Sequence, residues 1–328
     1  MTDFKTISGR KIKFQTTDLT MSTATEGELF YSDADSDFKV GINVVGWASG
    51  GNLNTARQYL GGAGIQTAAL AFGGGIPPHT DASEEYDGSS WTEGDNLNVP
   101  RGWNYGCGTQ TAAFSIGGEA PSVPAEDATE TYNGSSWTNA PNLNAGRYSL
   151  GAAGTTTAAV AFGGSSGSPP TVQATVEEFD GSSWTEVTNQ PTGHSYASGA
   201  GTLTAALSIG GVAAPSTNFS NTTLEYDGTN WTAGGNLNTG RQGGAASGIQ
   251  TAAIYFGGTK PSKTGETETY DGTSWTEIAD LSTARGGVGP STGGPTSTTT
   301  AFGGDTGSSS NATEEYGNVV TLKTITDS

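Results

Sequence analysis

The strongest constraint in this chain is that it repeats itself. Six tryptophans, Trp47, Trp91, Trp137, Trp184, Trp231 and Trp275, recur at steps of 44, 46, 47, 47 and 44 residues. Ten residues after each comes Arg57, Arg101, Arg147, His194, Arg241 or Arg285. A Gly/Ala-rich stretch follows, usually containing "TAA", and then a Gly-Gly pair such as Gly73-Gly74. An aromatic residue comes next: Tyr86, Tyr132, Phe179, Tyr226, Tyr270 or Tyr316. In the complete copies it precedes the next Trp by five residues. In the first five copies length varies only between Gly-Gly and the aromatic, and variation confined to one place marks a loop. A period of about 45 residues holding four short strand candidates reads as a propeller blade.

The strands can be placed from the residues. "TAALAFGG" is apolar and ends in a glycine pair. "ASEEYDG" and "SSWTE" flank an Asp-Gly turn, a hairpin signal. "LGGAG", "YGCGT" and "LGAAG" are small enough to crowd round a central axis, which accounts for much of the glycine. No long apolar run recurs at helical spacing. The expected fold class is all-β.

Gly-Gly, then Tyr, then Trp, then Arg resembles the kelch motif over residues 41–328. These copies are plainer than typical kelch blades and richer in Gly, Ala and Thr. The resemblance implies a six-bladed kelch-like β-propeller with a short N-terminal anchoring arm. The chain starts with the second half of a copy ("NVVGW", 43–47) and finishes with the first half of one ("EEYGNVV", 314–320). A propeller must join its first and last blades, so 43–47 is expected to add the outer strand to a blade begun by about 285–316. In the other closure, residues 319–326 complete that blade and leave 43–47 spare.

Residues 1–40 lie outside the repeat. "KIKFQ" alternates as a strand does, and "ELFYS" and "DFKVG" read as a hairpin. Residues 1–14 carry Lys5, Arg10, Lys11 and Lys13 against Asp3 alone, while the whole chain has a net charge of −19. A basic arm on an acidic body suggests docking to a partner. The segment "TEGELFYSDADSDFKVG" is similar to short N-terminal segments of tail-fibre and other surface proteins of tailed, often marine, bacteriophages. That resemblance implies a virion structural protein anchored to other virion proteins through residues 1–40, with Lys11, Lys13, Phe14, Phe30 and Tyr31 as anchor residues. It would be made in the host cytoplasm without a signal peptide. The disc would face outward to a host-surface glycan or protein as a tail-fibre component, or decorate the head as a knob.

The charge argues against nucleic-acid phosphates and against an anionic membrane surface. No apolar run is long enough for a transmembrane helix, and "MTDFKTISGRKIKF" lacks the apolar centre of a signal peptide. Cys107 is the single cysteine, so no intrachain disulfide forms; its setting suggests a small buried residue. A kelch-type copper oxidase needs His, Tyr and Cys ligands, and this chain has only His79 and His194, in non-equivalent places. No phosphate loop, zinc spacing or nucleophile elbow is present. No catalytic residue, cofactor or metal is therefore expected. A polysaccharide-degrading propeller and an intracellular interaction hub are the competing functions.

The repeat Arg is expected to be structural, bonding backbone carbonyls or an acid of a neighbouring blade. His194 reads as a variant of it. In Glu84-Glu85, Glu177-Glu178 and Glu314-Glu315 adjacent members face opposite ways along a strand, so they do not form a glycosidase pair. Asp87, Asp180, Asp227 and Asp271 fit turn chemistry. The variable stretches after Gly-Gly all fall on one face. They are the expected ligand-binding surface, with His79, Phe219 and Lys260 as the candidate side chains.

Overall fold

The computed structural model describes residues 13–15, 29–32, 37–75, 78–167, 171–213 and 218–324. Every regular element among them is a β-strand. The chain forms two compact units, Ser49–Glu315 and Met1–Ala48 with Tyr316–Ser328.

In the smaller unit, β1 (Lys13–Gln15) pairs in parallel with β2 (Leu29–Ser32), which pairs antiparallel with β3 (Asp37–Ser49). The register sets Lys13 opposite Phe30 and Phe14 opposite Tyr31; Lys11 lies outside the described residues. β3, which contains 43–47, lies beside the strand Thr313–Thr324 in the sheet. There Trp47 packs on Tyr316 with ring centroids 5.3 Å apart. The same aromatic–Trp pair recurs at 4.8–5.1 Å in the five copies that the sequence leaves whole.

The larger unit is a six-bladed propeller. Blade one is a meander of β4 (Gly61–Ile65), β5 (Ala68–Phe72), β6 (Ser83–Tyr86) and β7 (Trp91–Glu93). Blades two to five repeat that order. Second strands such as β5 are buried almost throughout, so they read as unbroken apolar runs; outer strands bury only their Trp. Innermost strands approach backbone to backbone. A Cβ on Gly106 would stand 2.3 Å from the Gly62 carbonyl oxygen of the neighbouring blade.

The ring closes through one backbone bond per blade. Trp103 N–H donates to Tyr59 O, Ser149 to Trp103, Tyr196 to Ser149, Gly243 to Tyr196, Gly287 to Gly243 and Tyr59 to Gly287, at 2.7–3.1 Å. All six residues are left-handed, with φ between 52° and 61°.

Tyrosine hydroxyls bond adjacent blades. Tyr132 donates to Glu85, Tyr226 to Glu178, Tyr270 to Glu225 and Tyr86 to Glu315, at 2.5–2.7 Å. Where Phe179 has no hydroxyl, the preceding blade carries Thr131 in place of Glu. Trp137 and Trp231 set their edges against Phe72 and Phe162 of the preceding blades. Each such pair adds about 0.5–1.5 kcal/mol beyond its buried area.

Burial pushes Tyr105 and Tyr270 up to about 12, with the Glu225 hydrogen bond adding to the shift of Tyr270. Burial, then the Glu partner, raises Tyr86, Tyr132 and Tyr226 as well. A folded pKa above the unfolded value of about 10 contributes stability that is fully present below pH 10 and lost as pH rises through the folded pKa. Denaturant midpoints are therefore expected to fall steeply above pH 10, with phenolate absorbance of these tyrosines appearing only on unfolding. Ordinary titration near pH 10 in the folded chain would contradict this picture of the blade seams.

The repeat Arg is fully buried. Arg147 donates to the carbonyls of Gly163 (3.1 Å) and Thr175 (2.7 Å) and pairs with Glu177 at 2.8 Å. Arg57–Glu84, Arg101–Glu130, Arg241–Glu268 and Arg285–Glu314 repeat the pair. It thus bonds both carbonyls and an acid, and the acid belongs to the blade that the Arg leads into, not to a neighbour. Burial lowers the guanidinium pKa of Arg57, Arg101, Arg147 and Arg285, and the facing Glu opposes that shift. The same Glu accepts a backbone N–H from Asn54, Asn98, Asn144, Asn238 or Ser282, at 2.7–2.9 Å.

Blade four abandons this arrangement as a whole. Leu224 replaces the Glu, so no buried anion needs a partner. Pro191 replaces the Asn, so the N–H that the Glu would accept is gone too. His194 replaces the Arg. It is 3% exposed, with Nδ1 3.0 Å from Thr192 O and Nε2 3.3 Å from Ser220 Oγ. Burial lowers its pKa, so it sits there neutral. His194 is one member of a coupled set.

Candidate functional site

The six ring residues stand two positions after the repeat basic residue. A left-handed backbone suits glycine, and Gly243 and Gly287 supply it in two blades. For an L-residue that conformation costs roughly 1–2 kcal/mol. Yet the other positions carry Tyr59, Trp103, Ser149 and Tyr196. Ring closure explains the backbone shape, but it does not explain three bulky aromatics where glycine would serve. Such strain persists only where the surroundings impose it, and it gathers at functional sites.

The side chains form a collar. Tyr59 stacks on Trp103, with centroids 5.0 Å apart and planes at 24°. Its other flank lies over Gly287, where a Cβ would come within 2.6 Å of the ring. His79 meets Trp103 edge-on at 5.4 Å. Inside the collar lies a cup of about 60 Å³, whose lining includes Tyr59, Trp103, Tyr105, Ser149, Tyr196 and Ser198. Tyr105 spans from blade two to blade four. Its hydroxyl lies 2.7 Å from Ser198 Oγ, donates to Gly199 O at 2.8 Å and accepts the Gly199 N–H at 2.7 Å. A separate cavity of about 250 Å³ begins beyond it, lined by Cys107, Gly199 and Thr292 among others. Tyr105 thus makes the floor of the cup, and the cup is blind. Cys107 is buried, as its setting suggested, and burial pushes its thiol up to about 12.

No charged side chain lines the cup. Carboxylates stand behind it. Burial raises the pKa of Tyr59, with Asp305 adding to it; burial and then Glu119 raise that of Tyr196. Lysines on this face are engaged: Lys263 pairs with Asp305 at 2.7 Å, and Lys260 pairs with Glu266. Among the described residues, no group of three or more His, Cys, Asp and Glu side chains comes together as a metal site would require.

Variable loops rim the collar. Backbone bridges tie the collar strands to them, as in Gly102 with Glu119, Tyr148 with Ser165 and Gln242 with Thr259. Of the side chains singled out in the sequence, His79 is buried under Trp103, 3.1 Å from Gly75 O and 3.9 Å from Glu119. Phe219 is half-buried and bridges to Val212. Lys260 is held by Glu266. They sit on the loops of blades one, four and five. The anchor residues Lys13, Phe14, Phe30 and Tyr31 belong to β1 and β2. The turn acids cap their own loops: Asp87 Oδ1 accepts the N–H groups of Ser89 and Ser90 at 2.8 Å, and these bonds hold its pKa down to about 2. The Asp-Gly turn is a four-residue loop, because Tyr86 pairs with Trp91.

Sequence reasoning passed over Tyr59, Trp103 and Tyr196. The signal was present. Trp103 is the seventh tryptophan, off the repeat's beat, and all three follow the repeat basic residue by two positions.

Comparison with known proteins supports the architecture and stops there. No protein-family model matches this chain, and no curated protein matches its sequence. The solved structure of YjhT superposes with a TM-score of 0.65 at 14% identity, covering 83% of this chain and 99% of that one. At that identity the likeness concerns the fold: an all-β, six-bladed propeller. Propellers host unrelated functions, so function has to be argued from the site.

Proposed function

We propose that this chain is a non-enzymatic binding protein, which holds a host-surface ligand at the Tyr59–Trp103–Tyr196 cup. One observation carries the reading: three aromatic side chains occupy strained left-handed positions that two other blades fill with glycine. Tyr and Trp are the side chains on which binding energy concentrates. The cup lining holds no carboxylate, histidine or cysteine that could act as acid, base or nucleophile. We place the protein on a tailed-phage particle as a fibre component anchored by residues 1–40. That placement rests on the likeness of "TEGELFYSDADSDFKVG" to phage surface proteins.

Immunogold microscopy of intact particles, with antibody against residues 41–328, tests the placement. Gold at fibre tips is the expected result. Gold over the head would make the protein a decoration knob, and unlabelled particles would remove it from the virion. Turnover of a polysaccharide by the purified chain would overturn the non-enzymatic reading.

A further inference from the structure

We infer that the cup takes the neutral, chain-terminal sugar of a glycan; this rests on the reading of the cup as the binding site. Three features of the cup select that chemistry.

Charge is the first. Glu119, 3.9 Å from the His79 ring that packs on Trp103, stands behind an uncharged lining in a chain of net charge −19, while Asp305 is neutralised by Lys263. On the described part of this face Lys260 and Lys263 are paired with acids, and the repeat Arg side chains are buried against Glu. A uronate, sialic acid or sulfated sugar would meet repulsion with no counter-ion. A cationic ligand fares poorly too. The lining offers an ammonium no carboxylate, and the Tyr59 ring is covered by Trp103 on one side and Gly287 on the other. A cation needs an open ring face.

Shape is the second. The cup is blind, because Tyr105 is fastened to Ser198 and Gly199 across it. Its volume is about 60 Å³. That admits one edge of a sugar ring entering end-on. An internal residue of a polymer would need a groove open at both ends.

Polarity is the third. Tyr and Trp present an apolar body with a hydrogen-bonding tip, which suits a ligand whose CH edges alternate with hydroxyls.

The test uses the full chain on an array of immobilised glycans with neutral and acidic non-reducing ends, alongside binding to host cells with and without periodate. Binding confined to neutral ends, lost after exoglycosidase trimming and lost from periodate-treated cells, is the expected result. Tyr196→Phe, which keeps the ring and removes the hydroxyl, should weaken array binding about tenfold. Preference for acidic ends, or binding that survives trimming, would overturn the inference. So would cell binding that resists periodate. If instead Tyr59→Gly/Trp103→Gly binds cells as wild type does, the cup is not the binding site, and the parent reading fails with it.

Discussion

Arg101→Leu is expected to destabilise the chain by about 3–5 kcal/mol, because it strands Glu130 as an uncompensated buried anion. Glu130→Leu should cost a similar amount, since it strands the Arg101 guanidinium instead. The double variant Arg101→His/Glu130→Leu should cost far less than the sum of the two. Blade four already shows that solution, with His194 at the Arg position and Leu224 at the Glu position. The pair is fully enclosed, both side chains being 0% exposed, so solvent screening does not soften the loss. Urea unfolding of the wild type, Arg101→His, Glu130→Leu and Arg101→His/Glu130→Leu gives the coupling energy directly. A coupling near zero would mean that the five Arg–Glu pairs do not hold the blades as described. The Asn98 N–H, which Glu130 accepts, lies near solvent and can turn to water in the double variant.

The second large effect concerns the collar, and its sign is unusual. Replacing three partly buried aromatics by glycine would ordinarily be ruinous: a single core change such as Trp137→Ala is expected to cost about 3–5 kcal/mol. The triple variant Tyr59→Gly/Trp103→Gly/Tyr196→Gly should instead shift stability by less than about 2 kcal/mol. Each change relieves roughly 1–2 kcal/mol of left-handed strain. Against that stand about 0.5–1 kcal/mol of glycine backbone entropy per site and the lost Tyr59–Trp103 stacking. The six backbone bonds of the ring survive, as they do at Gly243 and Gly287. Binding should collapse while the fold remains, because the aromatics serve the ligand and the backbone serves the ring. A triple variant as unstable as Trp137→Ala would mean that the collar is core.

Blade number, strand order and the structural place of the repeat Arg were legible, because each copy repeats one pattern and a wrong assignment would have to fail many times over. The aromatic–Trp pair, the Gly pair and the small inner strands each answer a packing need visible in residue size. The partner of the Arg was harder to read. Glu130 and Glu268 sit in "TET", so the acid is a single position two before the aromatic, not a pair of acids. His194 looked solitary because its companions, Pro191 and Leu224, lie 3 and 30 residues away. The collar was missed for another reason. A left-handed position announces itself when it is glycine, and here two copies are glycine while three are aromatic. The loops vary in length, which marks them in the sequence, whereas this site varies in side chain at fixed length. His79 was found on such a loop, and it supports Trp103 from beneath.

The decisive measurement is the binding of wild-type chain and the Tyr59→Gly/Trp103→Gly/Tyr196→Gly variant to host cells, with Ile65→Ser/Ile249→Ser as the control for exposed apolar residues outside the cup. The expected outcome is a loss of at least about a hundredfold for the collar variant, which unfolds at nearly the wild-type midpoint, and no loss for the control. Equal binding by wild type and the collar variant, or a loss confined to the Ile variant, would show that the ligand is held elsewhere.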